Sequence, residues 1–83
     1  MNYLLPGGES PKRMQLLLSL SQITSEQKIA ALNEHYVNGL PIGRAAARFG
    51  TDKGNLSLAQ ATLEKIATTV EQIKELDWEK VVG

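Results

Sequence analysis

The chain has 83 residues, with nine Lys and Arg against nine Asp and Glu, one His and no Cys, so it is expected to form one small domain without net charge. Its apolar runs are too short for a membrane span and its N-terminus lacks the pattern of a signal peptide, which predicts a soluble, cytoplasmic protein. Without cysteine, and with His35 as its single imidazole, the sequence offers little for a disulfide, a metal site or imidazole catalysis. We therefore expect no enzyme, metal, cofactor or small-molecule substrate.

A first helix is predicted to begin at Ser10, after a Pro6-Gly7-Gly8 turn. Serine is a good N-cap, and Pro11 suits the first helical position, where its missing N–H costs nothing. Residues 1–9 are expected to form an N-terminal arm, and residues 10–83 a single helical domain. The helix carries apolar side chains at helical spacing, namely Met14, Leu17 and Leu18.

A second helix is predicted from about Ser25 to Asn38. Thr24 followed three residues later by Gln27 fits a capping box, and Asn38-Gly39 supplies a left-handed stop. His35 is expected on the surface of this helix, because no second histidine or cysteine accompanies it as a ligand. Apolar residues recur here at helical spacing, at Ile29, Leu32, Tyr36 and Val37.

A short third helix is predicted over Ile42–Phe49. It contains three consecutive alanines, Ala45 to Ala47, whose side chains are small. Small side chains allow another helix to approach closely. Gly50 is expected to end the helix.

After a turn at Thr51-Asp52, one long helix is predicted to run to about Trp78, or two nearly collinear helices that break near Thr68-Thr69. Alternating spacings of three and four are typical of a helix that packs along one side. Since no segment has the alternation of a strand, the sequence predicts an all-α fold, a small bundle of four to five helices with a long C-terminal helix. The spacing is carried by Leu56, Ala59, Leu63, Ile66, Val70 and Ile73.

The third helix and the start of the fourth match a helix-turn-helix at about residues 42–63. That motif needs a small residue where the helices cross, a glycine or similar residue at the turn, and an apolar residue one turn into the second helix. Ala46, Gly50 and Leu56 occupy these places. A plain helical core would explain the same apolar residues, but it would leave the polar and basic residues after Gly50 without a role.

A helix-turn-helix places the N-terminal residues of its second helix towards base edges, while the first helix crosses the phosphate backbone. Residues 40–63 hold three basic residues against one acid, whereas residues 64–83 hold three against five. Double-stranded DNA is therefore the predicted partner, with phosphates contacted from the third helix and a groove from the fourth. The candidate DNA-binding residues are Arg44, Arg48, Lys53, Gly54, Asn55, Ser57, Leu58 and Gln60.

A second copy of the chain is the other expected partner, because so small a domain buries a marginal core of its own. The alternative hypothesis is a helical adaptor that binds a protein through its amphipathic tail and does not bind DNA. The same apolar residues of the first and last helices could instead pack within one chain. Candidate interface residues are Leu17, Leu20, Ile66, Val70, Ile73 and Trp78.

The chain also resembles the PapB family of adhesin-biosynthesis transcription regulators, which control bacterial fimbrial operons. The resemblance runs from Leu4 to about Leu63, and it implies a helical DNA-binding regulator that acts as an oligomer on adjacent sites. It is carried by Leu4-Leu5-Pro6-Gly7, Leu16-Leu17, Ser21, Ile23, Ser25, Ile29, Ala31, Val37, Gly39, Gly54 and Ser57.

The departures from this family pattern fall in the segment predicted to read DNA. PapB-like proteins tend to carry basic side chains shortly after the glycine matched by Gly39, where this chain has Ile42-Gly43, and an aromatic pair where it has Asn55-Leu56. The resemblance therefore predicts the class of activity better than it predicts the DNA sequence or the groove that is recognised. Residues Tyr36–Ala61 are also similar to the plasmid KorA-type repressors.

Overall fold

A computed structural model describes residues 4–82 and their side chains as far as Trp78. The described chain forms four helices and no strand, which confirms the predicted all-α bundle with a long C-terminal helix. None of these helices is both long and apolar enough to cross a membrane. The helices are α1 (Pro11–Ser19), α2 (Glu26–Tyr36), α3 (Ile42–Arg48) and α4 (Lys53–Val82).

The helix ends follow local capping chemistry. The Ser10 hydroxyl accepts a hydrogen bond from the backbone N–H of Arg13, and Ser25 accepts one from the N–H of Lys28. The capping box predicted from Thr24 is therefore wrong by one residue, because the hydroxyl that reaches the third helical N–H belongs to Ser25. Gly39 and Gly50 have φ angles of 81° and 66°, so both left-handed helix stops are confirmed.

The fourth helix is continuous. The Thr68 and Thr69 hydroxyls donate to the carbonyl oxygens of Glu64 and Lys65, at 2.8 and 3.0 Å. Hydrogen bonds to the preceding turn let threonine stay inside a helix, so the break considered at this point does not occur. The helix spans 30 residues, and it gives the molecule its long dimension of 49 Å.

The hydrophobic core lies where α1, α2 and α3 pack against the first half of α4. Of the predicted stripe on α4, Leu56, Ala59 and Leu63 are buried, whereas Ile73 is 52% exposed. The last residue of the stripe therefore stays accessible, although α1 still reaches α4 at Glu71, whose Oε1 lies 3.4 Å from Nη2 of Arg13. The largest fully buried side chains are Met14, Leu32, Tyr36, Leu56 and Leu63.

The segment before α1 belongs to the packed domain. Leu4 is buried, and the N–H groups of Gly7 and Glu9 donate to the carbonyl oxygens of His35 and Tyr36, at 3.2 and 3.0 Å. These carbonyls at the C-terminal end of α2 lack partners within the helix, so the segment satisfies them. Residues 4–9 are therefore not a separate arm, and residues 1–3 of the predicted arm lie outside the described range.

A buried chain of hydrogen bonds connects α2 to α4. His35 is only 8% exposed, which corrects its predicted place on the helix surface. Its Nδ1 lies 2.8 Å from the carbonyl oxygen of Leu40, and its Nε2 lies 3.4 Å from the amide nitrogen of Gln60. The Tyr36 hydroxyl donates to Oε1 of Glu64 at 3.4 Å. Because a carbonyl only accepts, His35 carries its proton on Nδ1 and accepts from Gln60.

Domain stability is expected to fall above about pH 10, the ordinary pKa of tyrosine. Burial, together with the nearby Glu64 carboxylate, raises the pKa of Tyr36. A folded-state pKa above the unfolded one gives stability that is fully present below about pH 10 and is lost as the pH rises further. Urea unfolding between about pH 8 and pH 11 measures the loss, and Tyr36→Phe should make it shallower. An equally steep loss in both proteins would contradict this assignment.

Candidate nucleic-acid interface

The contact between α3 and α4 brings together the residues that the sequence predicts for a helix-turn-helix. Ala46 is 2% exposed and Leu56 is fully buried, so the small residue and the apolar residue both lie inside the contact. The N–H of Thr51 donates to the carbonyl oxygen of Ala46 at 3.0 Å across the Gly50 turn. A glycine suits this turn because its φ is positive there. The first turns of α4 are consequently held against α3.

Asp52 organises the beginning of α4. Its Oδ2 accepts a hydrogen bond from the N–H of Asn55 at 3.0 Å, which is the geometry of an N-cap. A Cβ at Gly54 would lie 2.9 Å from the same oxygen, so glycine leaves room for the cap. This role of Asp52 is not among the predictions above, although an aspartate directly before a predicted helix is itself an N-cap signal.

Four of the predicted DNA-binding side chains are exposed around the first two turns of α4. The burial of Leu56 leaves the positions on either side of it facing solvent. The aliphatic stem of Lys53 lies alongside α3, since a Cβ at Gly43 would be 3.9 Å from its Cδ and Cε atoms. The exposed side chains are Lys53, Asn55, Ser57 and Leu58.

The two arginines of α3 are exposed but differ in their charge partners. Nη1 of Arg48 lies 3.6 Å from Oε2 of Glu34 on α2, which offsets part of its charge. Arg44 forms no ion pair with any residue whose side chain is described. Arg44 and Lys53 therefore carry the uncompensated positive charge of this surface. Glu34 lies 14 residues before Arg48, on another helix, so no local pattern predicts this pairing.

Gln60 is not part of the exposed surface. It is partly buried, and its amide reaches His35 on α2. Gln60 follows Leu56 by four residues, so it lies on the side of α4 that faces α2. Its amide group therefore forms a contact inside the domain, whereas the other predicted DNA-binding residues are exposed.

The predicted oligomer residues do not form one surface. Leu17 is 4% exposed and belongs to the core of one chain, while Leu20 is 64% exposed. Trp78 is 67% exposed, but it follows Ile73 by five residues and so points about 140° away around the helix. Together with Lys65 and Thr69, the remaining four line an open groove of about 350 Å³. We name it the apolar groove. The four residues are Leu20, Ile66, Val70 and Ile73.

Comparisons with known proteins found a similarity to a protein family and to a solved structure. The model of the PapB family, described as adhesin biosynthesis transcription regulatory protein, matches residues 1–76. The 1.4 Å crystal structure of FocB from E. coli matches with a TM-score of 0.80 and 22% identity, covering 88% of this chain and 83% of that chain. A comparison with curated proteins gave no match. The similarity to KorA-type repressors stays a prediction.

Proposed function

Because this chain belongs to the PapB family of adhesin biosynthesis transcription regulatory proteins, we propose that it binds duplex DNA through α3 and the first turns of α4. In this proposal Arg44 and Arg48 contact phosphates, and Lys53, Asn55 and Ser57 reach into a groove. The activity is binding without catalysis, carried out on operator DNA in the cytoplasm, at the nucleoid. It requires no small ligand.

One observation carries the proposal: Lys53 and Arg44 present uncompensated positive charge at a helix-turn-helix crossing. The chain as a whole has no net charge, so attraction to DNA must come from a local surface. Both side chains are exposed, and neither forms an ion pair with a described side chain. A lysine can donate to guanine O6 and N7, and asparagine can pair with adenine.

We propose further that the regulator works as an oligomer of identical chains joined through the apolar groove. Four apolar side chains, one from the residue that follows α1 and three from α4, converge there, and two of them, Leu20 and Ile73, are more than half exposed. Covering such a surface removes apolar area from water. A two-fold dimer would present two DNA-reading helices about 34 Å apart, one turn of DNA.

The adaptor hypothesis remains a second candidate, favoured by the uncovered end of α4. Leu76 and Trp78 are 60% and 67% exposed there, and aromatic side chains often anchor protein partners. An adaptor that does not bind DNA would give no salt-dependent binding to a duplex. The experiment that tests the proposed function therefore separates the two hypotheses.

The test is fluorescence anisotropy of a labelled duplex, titrated with the protein at several salt concentrations. The duplex is taken from upstream of the protein's own gene, and its length of about 40 base pairs accommodates two half-sites one helical turn apart. Log affinity is expected to fall linearly with log salt, because bound phosphates release counterions. Lys53→Ala should weaken binding and, if Lys53 meets a phosphate, reduce the salt slope by about one. Lys12→Ala, at an exposed lysine of α1, is the matched control. Unaltered affinity in Lys53→Ala would remove Lys53 from the site.

Asp52→Asn is expected to strengthen DNA binding while leaving the stability of the domain nearly unchanged. Asparagine caps helices about as well as aspartate, so the hydrogen bond to the Asn55 N–H is retained. The substitution removes the single acid of residues 40–63, which lies beside Lys53. The same anisotropy titration, paired with thermal unfolding, measures both effects. Unchanged binding at unchanged stability would place Asp52 away from DNA phosphates.

A further inference from the structure

His35 is a buried side chain of α2 that contacts two other parts of the domain, one with each ring nitrogen. Its Nδ1 lies 2.8 Å from the carbonyl oxygen of Leu40, in the linker that leads into α3, and its Nε2 lies 3.4 Å from the amide nitrogen of Gln60 on α4. The contact with Leu40 is the shorter of the two, and so it is the stronger hydrogen bond. One imidazole therefore holds both the entrance to α3 and the helix against which α3 packs.

The backbone of Leu40 fixes the place where α3 begins. Both of its hydrogen-bonding groups are held by α2, because its N–H donates to the carbonyl oxygen of Glu34 at 3.1 Å and its carbonyl oxygen accepts from Nδ1–H of His35. Only Pro41 lies between Leu40 and the first residue of α3. The proline ring restricts the backbone at that position, so the contact with His35 is transmitted directly to the helix.

The third helix has few other means of holding its position. It has seven residues and no side-chain hydrogen bond at its N-cap, and helices this short are marginal on their own. The side chains that it buries completely are the single methyl groups of Ala45 and Ala46. Arg44 and Arg48 lie one turn apart on this helix, so they move with it when its start is displaced.

We infer that His35 is a positioning residue for DNA binding, which acts by holding the carbonyl of Leu40 and thereby the two arginines of α3. The inference rests on the proposed function, of which it uses only the phosphate contacts of Arg44 and Arg48. A partly buried carbonyl that loses its donor is unfavourable until it meets water, so the linker would shift outward without His35. Hydrogen bonds between arginine and phosphate are short and directional, and a shifted helix would lengthen them.

Asparagine and glutamine separate the two contacts of His35. The amide nitrogen of asparagine is as many bonds from the backbone as Nδ1 of histidine, so His35→Asn can still donate to Leu40 but does not reach Gln60. The amide group of glutamine is as many bonds from the backbone as Nε2, so His35→Gln keeps the contact with Gln60 and loses the one with Leu40. Neither replacement adds a charge. The two variants are therefore matched controls for each other.

The test measures how the affinity for the duplex of the proposed function depends on salt, in wild type and in both variants. Partial unfolding lowers the affinity without changing this slope, as long as circular dichroism shows the same helix content at every salt concentration. Log affinity falls with log salt by about 0.9 for each phosphate that is neutralised, so the slope counts phosphate contacts. His35→Gln is expected to reduce the slope by about 0.9 to 1.8, the share of one or two arginines, while His35→Asn keeps the wild-type slope.

Each other outcome overturns the inference. An unchanged slope in His35→Gln would mean that both arginines still reach phosphates without the Leu40 contact. An equal loss of slope in both variants would mean that this contact is not the one that matters. Loss of helix content in either variant would assign His35 to folding alone. These three outcomes leave the proposed function intact, whereas a wild-type protein that binds no duplex even at low salt removes the proposed function and the inference together.

Discussion

Leu56→Ala is expected to destabilise the domain by about 2 to 5 kcal/mol, the usual cost of truncating a buried leucine. Leu56 is fully buried at the crossing of α3 and α4, so its loss leaves a cavity between the two helices of the candidate site. A domain of this size has a total stability of only about 4 to 12 kcal/mol. A large fraction of the molecules should therefore unfold under mild urea, and DNA binding should fall with the folded fraction.

Leu58→Ala is the matched control for this prediction. It makes the same substitution two residues away, on the opposite side of α4, where the side chain is 69% exposed. Substitutions at such surface positions usually change stability by less than about 0.5 kcal/mol. Urea unfolding followed by circular dichroism compares the two variants. Equal destabilisation would mean that Leu56 does not pack between α3 and α4.

Ile73→Asp is expected to dissociate the proposed oligomer and to weaken operator binding by about a hundredfold or more. A carboxylate in the middle of the apolar groove would have to lose its water when a second copy covers it. Separate subunits also lose the gain in affinity that comes from binding two linked sites together. Sedimentation velocity gives the mass of the species, and anisotropy gives the affinity for DNA.

Gln72→Asp is the control for the oligomer prediction, since Gln72 is also exposed on α4 and lies beside Ile73 in the sequence but outside the apolar groove. It adds the same charge, so a general effect of acidity on DNA binding would appear in both variants. The oligomer mass should be retained in Gln72→Asp and lost in Ile73→Asp. Unchanged mass in Ile73→Asp would contradict an interface at the apolar groove.

The helices were predictable because their signals are local. Ser10 and Pro11 start α1, and Gly39 and Gly50 end α2 and α3, through contacts within a few residues. The apolar spacing of α4 likewise identified Leu56 as a core residue before any tertiary contact was known. The one local error, at Thr24, arose because two neighbouring hydroxyl residues both satisfy a capping pattern.

Burial of the polar residues was not predictable in the same way. His35 and Gln60 meet across 25 positions of the chain, and neither residue has an apolar character that would mark it as buried. The inward positions of Leu56, Ala59 and Leu63 predict that Gln60 lies on the outer side of α4. A polar side chain is buried when a partner satisfies it, and that partner is set by how α2 crosses α4.

The helical class, the order of the helices and the residues that pack where α3 meets α4 are predictable from the sequence alone. Caps, left-handed glycines and apolar periodicity act between residues close in the chain. The contact of residues 4–9 with the end of α2 and the pairing of Arg48 with Glu34 follow from the packing of the domain and not from local pattern. These features depend on which surfaces meet when distant segments pack, and packing geometry is a property of the whole domain.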